Sequence, residues 1–194
     1  MILNIDKLLN ANLHIHPWKH YLVDDILNYD FTDEEKFVQD NDMFFQLLGE
    51  LTFYKDQILE HFNPIRYDKN TNLPINTRVY WQVEDPFVEK EIHMDHKSKL
   101  WTCVIYAFPE KCNGTLLLDS DRNIVKEVPW KQNRAVIFSP GITHDDFLTE
   151  KTWHQIINKT DKIRRVITLN IVTPHDMPLK TPKQVWVSKG RKLL

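Results

Sequence analysis

The residues with the clearest chemical potential lie in the stretch EIHMDHKSKLWTCVIYAF, residues 91–108. His93 and Asp95 stand two positions apart, directly before an apolar run that is typical of a buried strand. On an extended backbone residues i and i+2 point to the same side, so this imidazole and this carboxylate can converge on one cation. Buried polar side chains are costly unless they have a partner. The pattern therefore predicts a metal site with a third ligand elsewhere in the chain.

Two histidines further along the chain are candidates for the third ligand. His154, in KTWHQI, stands near the start of another predicted strand, and a sheet closed on itself would bring it opposite His93. His144, in SPGITHDD, is the alternative, but its aspartate neighbours are typical of a solvated loop, so we favour His154. Two histidines and one carboxylate on one face of a metal form the facial triad of non-haem Fe(II) oxygenases.

A fixed positive charge follows His154 by ten residues, at Arg164. A guanidinium binds a carboxylate in bidentate fashion, so this arginine could hold a cosubstrate acid. Arg165 is its neighbour and would face the opposite side of a strand. The residues alone leave both arginines open.

These residues belong to a region of short segments rich in β-branched and aromatic residues. The predicted strands are 77–83, 100–108, 114–119, 123–128, 133–138, 152–157 and 164–172. Residues 33–62 have helical spacing, with a break near 40–42 and a capping box of Thr32 and Glu35. We expect a mainly β fold, a sandwich or barrel with jelly roll among the choices, on which the N-terminal helices pack.

Composition narrows the class of protein. The 194 residues are within the range of one domain, which we divide into an N-terminal helical part (1–75), a β core (76–172) and a C-terminal strap or tail (173–194). A net charge of −2 argues against non-specific nucleic-acid binding. Four glycines in no phosphate-binding fingerprint exclude P-loop and Rossmann enzymes. Two cysteines without a CxxC motif, and no long apolar run, predict a cytoplasmic protein without a membrane partner.

The order His-x-Asp, His and Arg on strands resembles that of iron(II)- and 2-oxoglutarate-dependent oxygenases of the prolyl-4-hydroxylase-like type. The resemblance covers residues 76–172 and includes the segments YAFPEKCNGTLLL, NRAVIFSP, TWH and RRVITLNI. It implies a double-stranded β-helix, which is a jelly-roll or cupin-like core. It also implies hydroxylation of a substrate with Fe(II), 2-oxoglutarate and O₂, releasing succinate and CO₂.

The same resemblance assigns roles to residues. His93, Asp95 and His154 would bind Fe(II), and Arg164 would pair with the distal carboxylate of 2-oxoglutarate. In such enzymes a small residue and then a threonine or serine often follow that arginine on the same side of the strand, which favours Arg164 over Arg165 and makes Thr168 a further cosubstrate residue. The tyrosine that such enzymes often carry shortly before the His-x-Asp motif is missing here. Further candidates for the cosubstrate pocket are Tyr80, Thr102 and Tyr106.

Other functions stay open at this point. A catalytically inactive jelly-roll binding module is the main alternative, and a cupin-like metalloenzyme without a 2-oxo acid is another. The substrate could be a peptidyl or free amino acid or a small metabolite, and the acidic excess in loops 84–92 and 139–151 disfavours nucleic acid. The oligomeric state is not readable. We expect His14, His16 and His20 to be surface residues. We expect Trp130 and Trp153 to be packing residues.

Overall fold

The structure, a computed structural model, describes residues 1–63, 74–96, 98–139, 141–142 and 148–173, with the backbone alone for 141–142 and 148–150. The helices are α1 (Ile5–Leu9), α2 (Glu34–Gln39) and α3 (Asn41–Phe62). The strands are β1 (Asn12–His14), β2 (His20–Val23), β3 (Asn76–Glu84), β4 (Val88–Glu89), β5 (Lys99–Phe108), β6 (Thr115–Leu118), β7 (Ile124–Val128), β8 (Ala135–Phe138), β9 (Gly141–Ile142), β10 (Leu148–Glu150), β11 (His154–Asn158) and β12 (Arg164–Val172). Within these ranges, no helix combines the length and apolar content needed to span a membrane.

The strands form antiparallel sheets, and the prediction of a mainly β fold is confirmed. A six-stranded sheet has the order β1-β2-β8-β5-β12-β3, and a four-stranded sheet has the order β4-β11-β6-β7. A third pair, β10 and β9, is also antiparallel. This arrangement is compatible with a jelly-roll core.

The six-stranded sheet separates two apolar layers. On one face, Ile167 and Leu169 of β12 pack in a core with Leu47 and Leu51 of α3, as predicted for the N-terminal helices. On the other face a second cluster joins residues of both large sheets: Tyr106, Val136, Phe138 and Val166 from the six-stranded sheet, with Leu117 and Val128 from the four-stranded sheet. Alternate residues of β12 therefore face the helices or the space between the two sheets.

The helical part differs from its prediction at its first residue. The capping box of Thr32 and Glu35 is wrong, because Asp33 caps α2 by accepting a hydrogen bond from the backbone N–H of Lys36 at 2.9 Å. The Asp33 carboxylate stands one residue after Thr32. It competes well for the backbone N–H groups at the start of the helix, which have no partner within the helix. The predicted break is confirmed, since Asp40 ends α2 and caps α3.

All seven predicted strands are present, with bounds that shift by two residues at most. The prediction missed α1 and the strands β1, β2, β4, β9 and β10. Each of these strands has two to four residues, which is too short for an alternating pattern to stand out. His144 and residues 174–194, most of the predicted strap, lie outside the described residues.

A histidine and lysine cluster joins the edges of the two large sheets. The prediction of surface histidines is wrong for His20, which is fully buried, and holds for His16, which is exposed. The rings of His14 and His20 stack with centroids 5.1 Å apart. Lys126 Nζ lies 3.5 Å from His14 Nδ1 and 3.3 Å from His20 Nε2. The Trp18 carbonyl, 2.8 Å from His20 Nδ1, can only accept a hydrogen bond, so Nδ1 carries the proton and Nε2 accepts from the lysine.

This cluster predicts a loss of stability in mild acid. Burial, reinforced by the charge of Lys126, lowers the pKa of His20 to about 4, whereas an unfolded histidine has its ordinary value near 6.5. Between these values the unfolded chain binds more protons, so the free energy of unfolding should fall as the pH falls from about 6.5 to about 4. After allowance for solvent screening, we expect His20 to contribute about 2 kcal/mol of that fall.

Chemical unfolding of wild type and His20→Gln at several pH values measures this contribution. Glutamine can accept from Lys126 without titrating, so the variant should lose part of the acid dependence and keep the part that comes from other groups. Parallel pH profiles for the two proteins would contradict the assignment to His20.

Candidate metal and cosubstrate site

His93 and His154 face each other across an isolated antiparallel bridge. The N–H of His93 donates to the carbonyl of His154 at 3.0 Å, and the N–H of His154 donates to the carbonyl of His93 at 2.9 Å. The bridge lies next to the pairing of β4 with β11 but is shifted by one residue from it, since that register would place Ile92 opposite His154. The two imidazole centroids are 4.3 Å apart. The expectation that the sheet brings His154 opposite His93 is therefore met.

Asp95 completes a cluster with the two histidines. One ligand atom from each of His93, Asp95 and His154 lies within 4.8 Å of the other two. Both histidines are oriented by backbone carbonyls: His93 Nδ1 is 3.0 Å from the Glu91 carbonyl, and His154 Nδ1 is 2.9 Å from the Thr152 carbonyl. Because a carbonyl can only accept, each Nδ1 carries a proton and each Nε2 keeps the lone pair that a metal requires.

The protonation states also suit a divalent cation. Burial alone would raise the pKa of the Asp95 carboxyl, but the neighbouring Lys99 and the Thr102 hydroxyl more than offset this, so its pKa is lowered. Burial lowers the pKa of His154 to about 4, against the opposing effect of Asp95. The cluster therefore offers one carboxylate and the imidazoles of two histidines, which is the donor set of a facial-triad iron site.

Arg164 lies fully buried at the start of β12, with no ion pair at salt-bridge distance among the described residues, although the buried Glu84 opposite it interacts with it electrostatically. Its Nε is 3.4 Å from the Asn113 carbonyl, and its guanidinium carbon lies 5.7 Å from the centroid of the Tyr106 ring and 5.2 Å from that of Trp130. Neither Nη1 nor Nη2 has a hydrogen-bond partner among the described residues. A buried guanidinium whose terminal N–H groups lack acceptors is costly. This side chain therefore fits an anionic ligand such as a carboxylate.

The neighbouring arginine points the other way. Arg165 donates from Nε to Glu34 Oε1 on α2 at 2.7 Å, which places it on the helix face of the sheet. Arg164 shares the opposite face with Val166, which packs between the two sheets. Of the two candidates, it is therefore Arg164 that points into the space between the sheets.

The remaining cosubstrate candidates fall into two groups. Thr168 is on the Arg164 side of β12, buried, with no hydrogen-bond partner for its hydroxyl among the described residues. The Tyr106 ring lies beside Arg164, and its hydroxyl is held by Thr115 at 2.9 Å. Thr102 and Tyr80 instead lie toward the cluster of His93, Asp95 and His154, because the Thr102 hydroxyl donates to Asp95 Oδ2 at 2.7 Å and Tyr80 takes part in the same polar network.

Three residues near the site were missed by the sequence analysis. Lys99 pairs with Asp95, the Asn113 carbonyl faces Arg164, and Trp130 stacks on Tyr106 with centroids 4.5 Å apart. Trp130 does pack, as predicted, but the group that it covers is the guanidinium of Arg164. A lysine four positions after Asp95 was the one signal in the sequence; nothing local marks the other two residues.

A close backbone approach holds the Arg164 end of the site. A Cβ on Gly114 would lie 1.6 Å from the Val128 carbonyl oxygen, which belongs to the paired strand β7 and cannot easily move. The flanking residues are Asn113, whose carbonyl faces Arg164, and Thr115, which holds Tyr106. Gly114 is therefore required for these two contacts to form together.

We expect Gly114→Ala to lower the free energy of unfolding by about 3 kcal/mol, because the hairpin must open to admit the methyl group. Denaturant unfolding checks this. The matched control is Gly49→Ala in α3, where an added Cβ meets nothing within 4 Å and alanine should stabilise the helix by up to about 1 kcal/mol. A Gly114→Ala protein as stable as wild type would contradict the argument.

Of the comparisons with known proteins, only the one with solved structures finds matches. No family model matches the chain, and no curated protein matches it. Among solved structures, a prolyl-4-hydroxylase from Pseudomonas putida is similar with a TM-score of 0.56 and 12% identity, over 87% of this chain and 92% of that one.

Two further structures agree. A viral collagen prolyl hydroxylase from Paramecium bursaria Chlorella virus 1, in a 2OG complex, has a TM-score of 0.50 and 10% identity, over 70% of this chain and 75% of that one. A prolyl 4-hydroxylase from Phytophthora capsici has a TM-score of 0.51 and 14% identity, over 80% of this chain and 59% of that one. The resemblance stated from the sequence is thus confirmed at the level of the fold: this chain folds like the prolyl-4-hydroxylases.

Proposed function

We propose that this protein is an Fe(II)- and 2-oxoglutarate-dependent dioxygenase with a double-stranded β-helix core. The observation that carries the proposal is the buried guanidinium of Arg164, whose two terminal nitrogens have no hydrogen-bond partner among the described residues and which faces the same space between the sheets as the His93, Asp95 and His154 cluster. One feature calls for a divalent cation and the other for a carboxylate. A 2-oxo acid that bridges the two would satisfy both.

In this proposal each residue has a defined task. His93, Asp95 and His154 hold the iron through two Nε2 atoms and one carboxylate oxygen, and the backbone carbonyls that fix the histidine tautomers keep those lone pairs available. Bound Fe(II) would supply O₂ activation at the expense of 2-oxoglutarate, with succinate and CO₂ as products and a hydroxylated substrate.

Residues of β12 would bind the other end of the cosubstrate. Arg164 binds the distal carboxylate in bidentate fashion, and the Thr168 hydroxyl, free of protein partners among the described residues, donates to the same acid. Tyr106 and Trp130 cover the guanidinium and exclude water, which strengthens the ion pair. The likeness to a viral prolyl hydroxylase in a 2OG complex supports this assignment. The substrate that we propose is a peptide or a small molecule.

A metal-free binding module is the second candidate, and one observation favours it. Asp95 already has an ion pair with Lys99 at 2.6 Å and a hydrogen bond from Thr102 at 2.7 Å, so its charge is balanced without any metal. Both candidates share the same fold, which does not determine function by itself.

Anaerobic addition of Fe(II) and 2-oxoglutarate separates the two candidates. A 2-oxo acid chelated to iron at a facial-triad site should give a weak visible charge-transfer band, and admission of O₂ should then produce succinate. Buffer with Fe(II) and 2-oxoglutarate but no protein is the control. Iron that elutes away from the protein, with no band and no succinate, would overturn the dioxygenase and favour the binding module.

A further inference from the structure

Lys99 places a positive charge directly against the carboxylate that the proposed function assigns to the metal. Its Nζ is 2.6 Å from Asp95 Oδ1, and the two side chains are only 16% and 7% exposed. Lys99 is the first residue of β5, three positions before Thr102, which binds the other oxygen of Asp95. Both carboxylate oxygens therefore have partners before any metal arrives.

A closed polar network keeps this lysine in place. The Thr102 hydroxyl lies 2.9 Å from Asn170 Oδ1, and Asn170 Nδ2 donates to the Tyr80 hydroxyl at 2.9 Å. Tyr80 in turn interacts with Lys99. The network spans β3, β5 and β12, which are neighbours in one sheet. Because the ammonium is held from two sides, it stays near Asp95 when a cation binds there.

The charges then decide how a metal is retained. Without a metal, the charges of Asp95 and Lys99 cancel each other. A divalent ion would then leave this part of the space between the sheets with an excess of positive charge. The buried guanidinium of Arg164 adds a further positive charge. Like charges a few ångströms apart in a poorly solvated site repel strongly. A dianion such as 2-oxoglutarate would cancel most of the excess.

We propose that Lys99 couples metal retention to the anionic cosubstrate: it weakens binding of the metal alone and favours binding of the metal together with a dianion. The inference rests on the proposed function, because it assumes that Asp95 is a metal ligand and that 2-oxoglutarate is the dianion. Such a coupling is reciprocal, so the metal strengthens cosubstrate binding by the same factor. Lys99 is a positioning and charge-setting residue and touches no reacting atom.

Mn(II) binding tests the coupling without turnover. Free Mn(II) is measured by electron paramagnetic resonance, with and without 2-oxoglutarate, for wild type, Lys99→Gln and Lys99→Arg. Glutamine can keep the hydrogen bond to Asp95 without the charge, and arginine keeps the charge. Removal of one charge a few ångströms from the ion should tighten Mn(II) binding in Lys99→Gln by about 10-fold or more when no cosubstrate is present. The additional gain from 2-oxoglutarate should shrink by a similar factor.

The controls distinguish the effect of removing the charge from the effect of unfolding the protein. Lys99→Arg should behave as wild type, and so should Lys131→Gln, which removes the charge of a surface lysine paired with Asp24. Thermal unfolding shows which variants are folded, and Lys99→Met replaces Lys99→Gln if the latter is not. Mn(II) binding that weakens, or an unchanged effect of 2-oxoglutarate, in the neutral variant would overturn this inference and leave the proposed function intact. No Mn(II) binding to wild type, even with 2-oxoglutarate, would overturn both.

Discussion

Asp95→Asn is expected to abolish the visible band and 2-oxoglutarate turnover. The amide removes the one anionic ligand of the cluster, and it leaves the Lys99 ammonium without its partner beside the incoming cation. We expect metal affinity to fall by about three orders of magnitude, or roughly 4 kcal/mol. Anaerobic titration with Fe(II) at saturating 2-oxoglutarate measures the affinity, and succinate release measures the turnover.

The control for this variant is Asp24→Asn. Asp24 also pairs with basic residues, accepting from Arg134 at 2.6 Å and Lys131 at 2.9 Å, but it lies outside the His–Asp–His cluster. It should keep the band. Asp95→Asn also breaks a buried ion pair at a cost of about 3–5 kcal/mol, so thermal unfolding must show that the variant is folded at the temperature used. An Asp95→Asn protein that is folded and keeps the band would refute the assignment of Asp95 to the metal.

Arg164→Met is expected to raise the concentration of 2-oxoglutarate needed for the band by about 100- to 1000-fold, the value of a bidentate charge-assisted contact in a dry site. The same change should make the ligand-free protein no less stable, because it removes a buried charge whose two terminal nitrogens lack partners among the described residues. Loss of binding without loss of stability distinguishes a ligand-binding residue from a structural one.

Arg165→Met is the matched control. This arginine is next in the chain, has the same charge and donates to Glu34 on the helix face. Its loss should cost less than about 1 kcal/mol of stability, as for other partly exposed pairs, and leave the 2-oxoglutarate requirement unchanged. If the requirement rises in Arg165→Met and stays constant in Arg164→Met, the cosubstrate anchor has been assigned to the wrong arginine.

The parts of the site that follow from alternation along one strand were predictable. Asp95 follows His93 by two positions, and β12 alternates between apolar and polar residues from Ile167 to Ile171. What could not be predicted depends on strands that are distant in sequence. The contact of Thr102 with Asn170 and that of Trp130 with Arg164 require the register of the sheets, which local patterns do not encode.

Very short elements explain most of the remaining differences. Strand β4 has two residues and no visible pattern, yet it pairs with β11 next to the bridge of His93 and His154. At α2 the competing cap was one residue away from the predicted one. Burial of His20 also depends on the distant Lys126, which no reading of the segment around the histidines would reveal. In each case a tertiary contact decides between local options that are nearly equal.

The backbone pairing of His93 and His154 makes the exchange of two amide protons depend on whether the His93, Asp95 and His154 cluster is intact. Each N–H donates to the carbonyl of the other residue, so these protons can exchange with solvent only when the bridge opens. Opening the bridge also separates two of the three residues of the cluster. The deuterium uptake of these two amides therefore reports how often the cluster comes apart, and a metal bound to both histidines would slow the uptake of both by a common factor. The exchange rates of these two amides thus measure the lifetime of the assembled cluster.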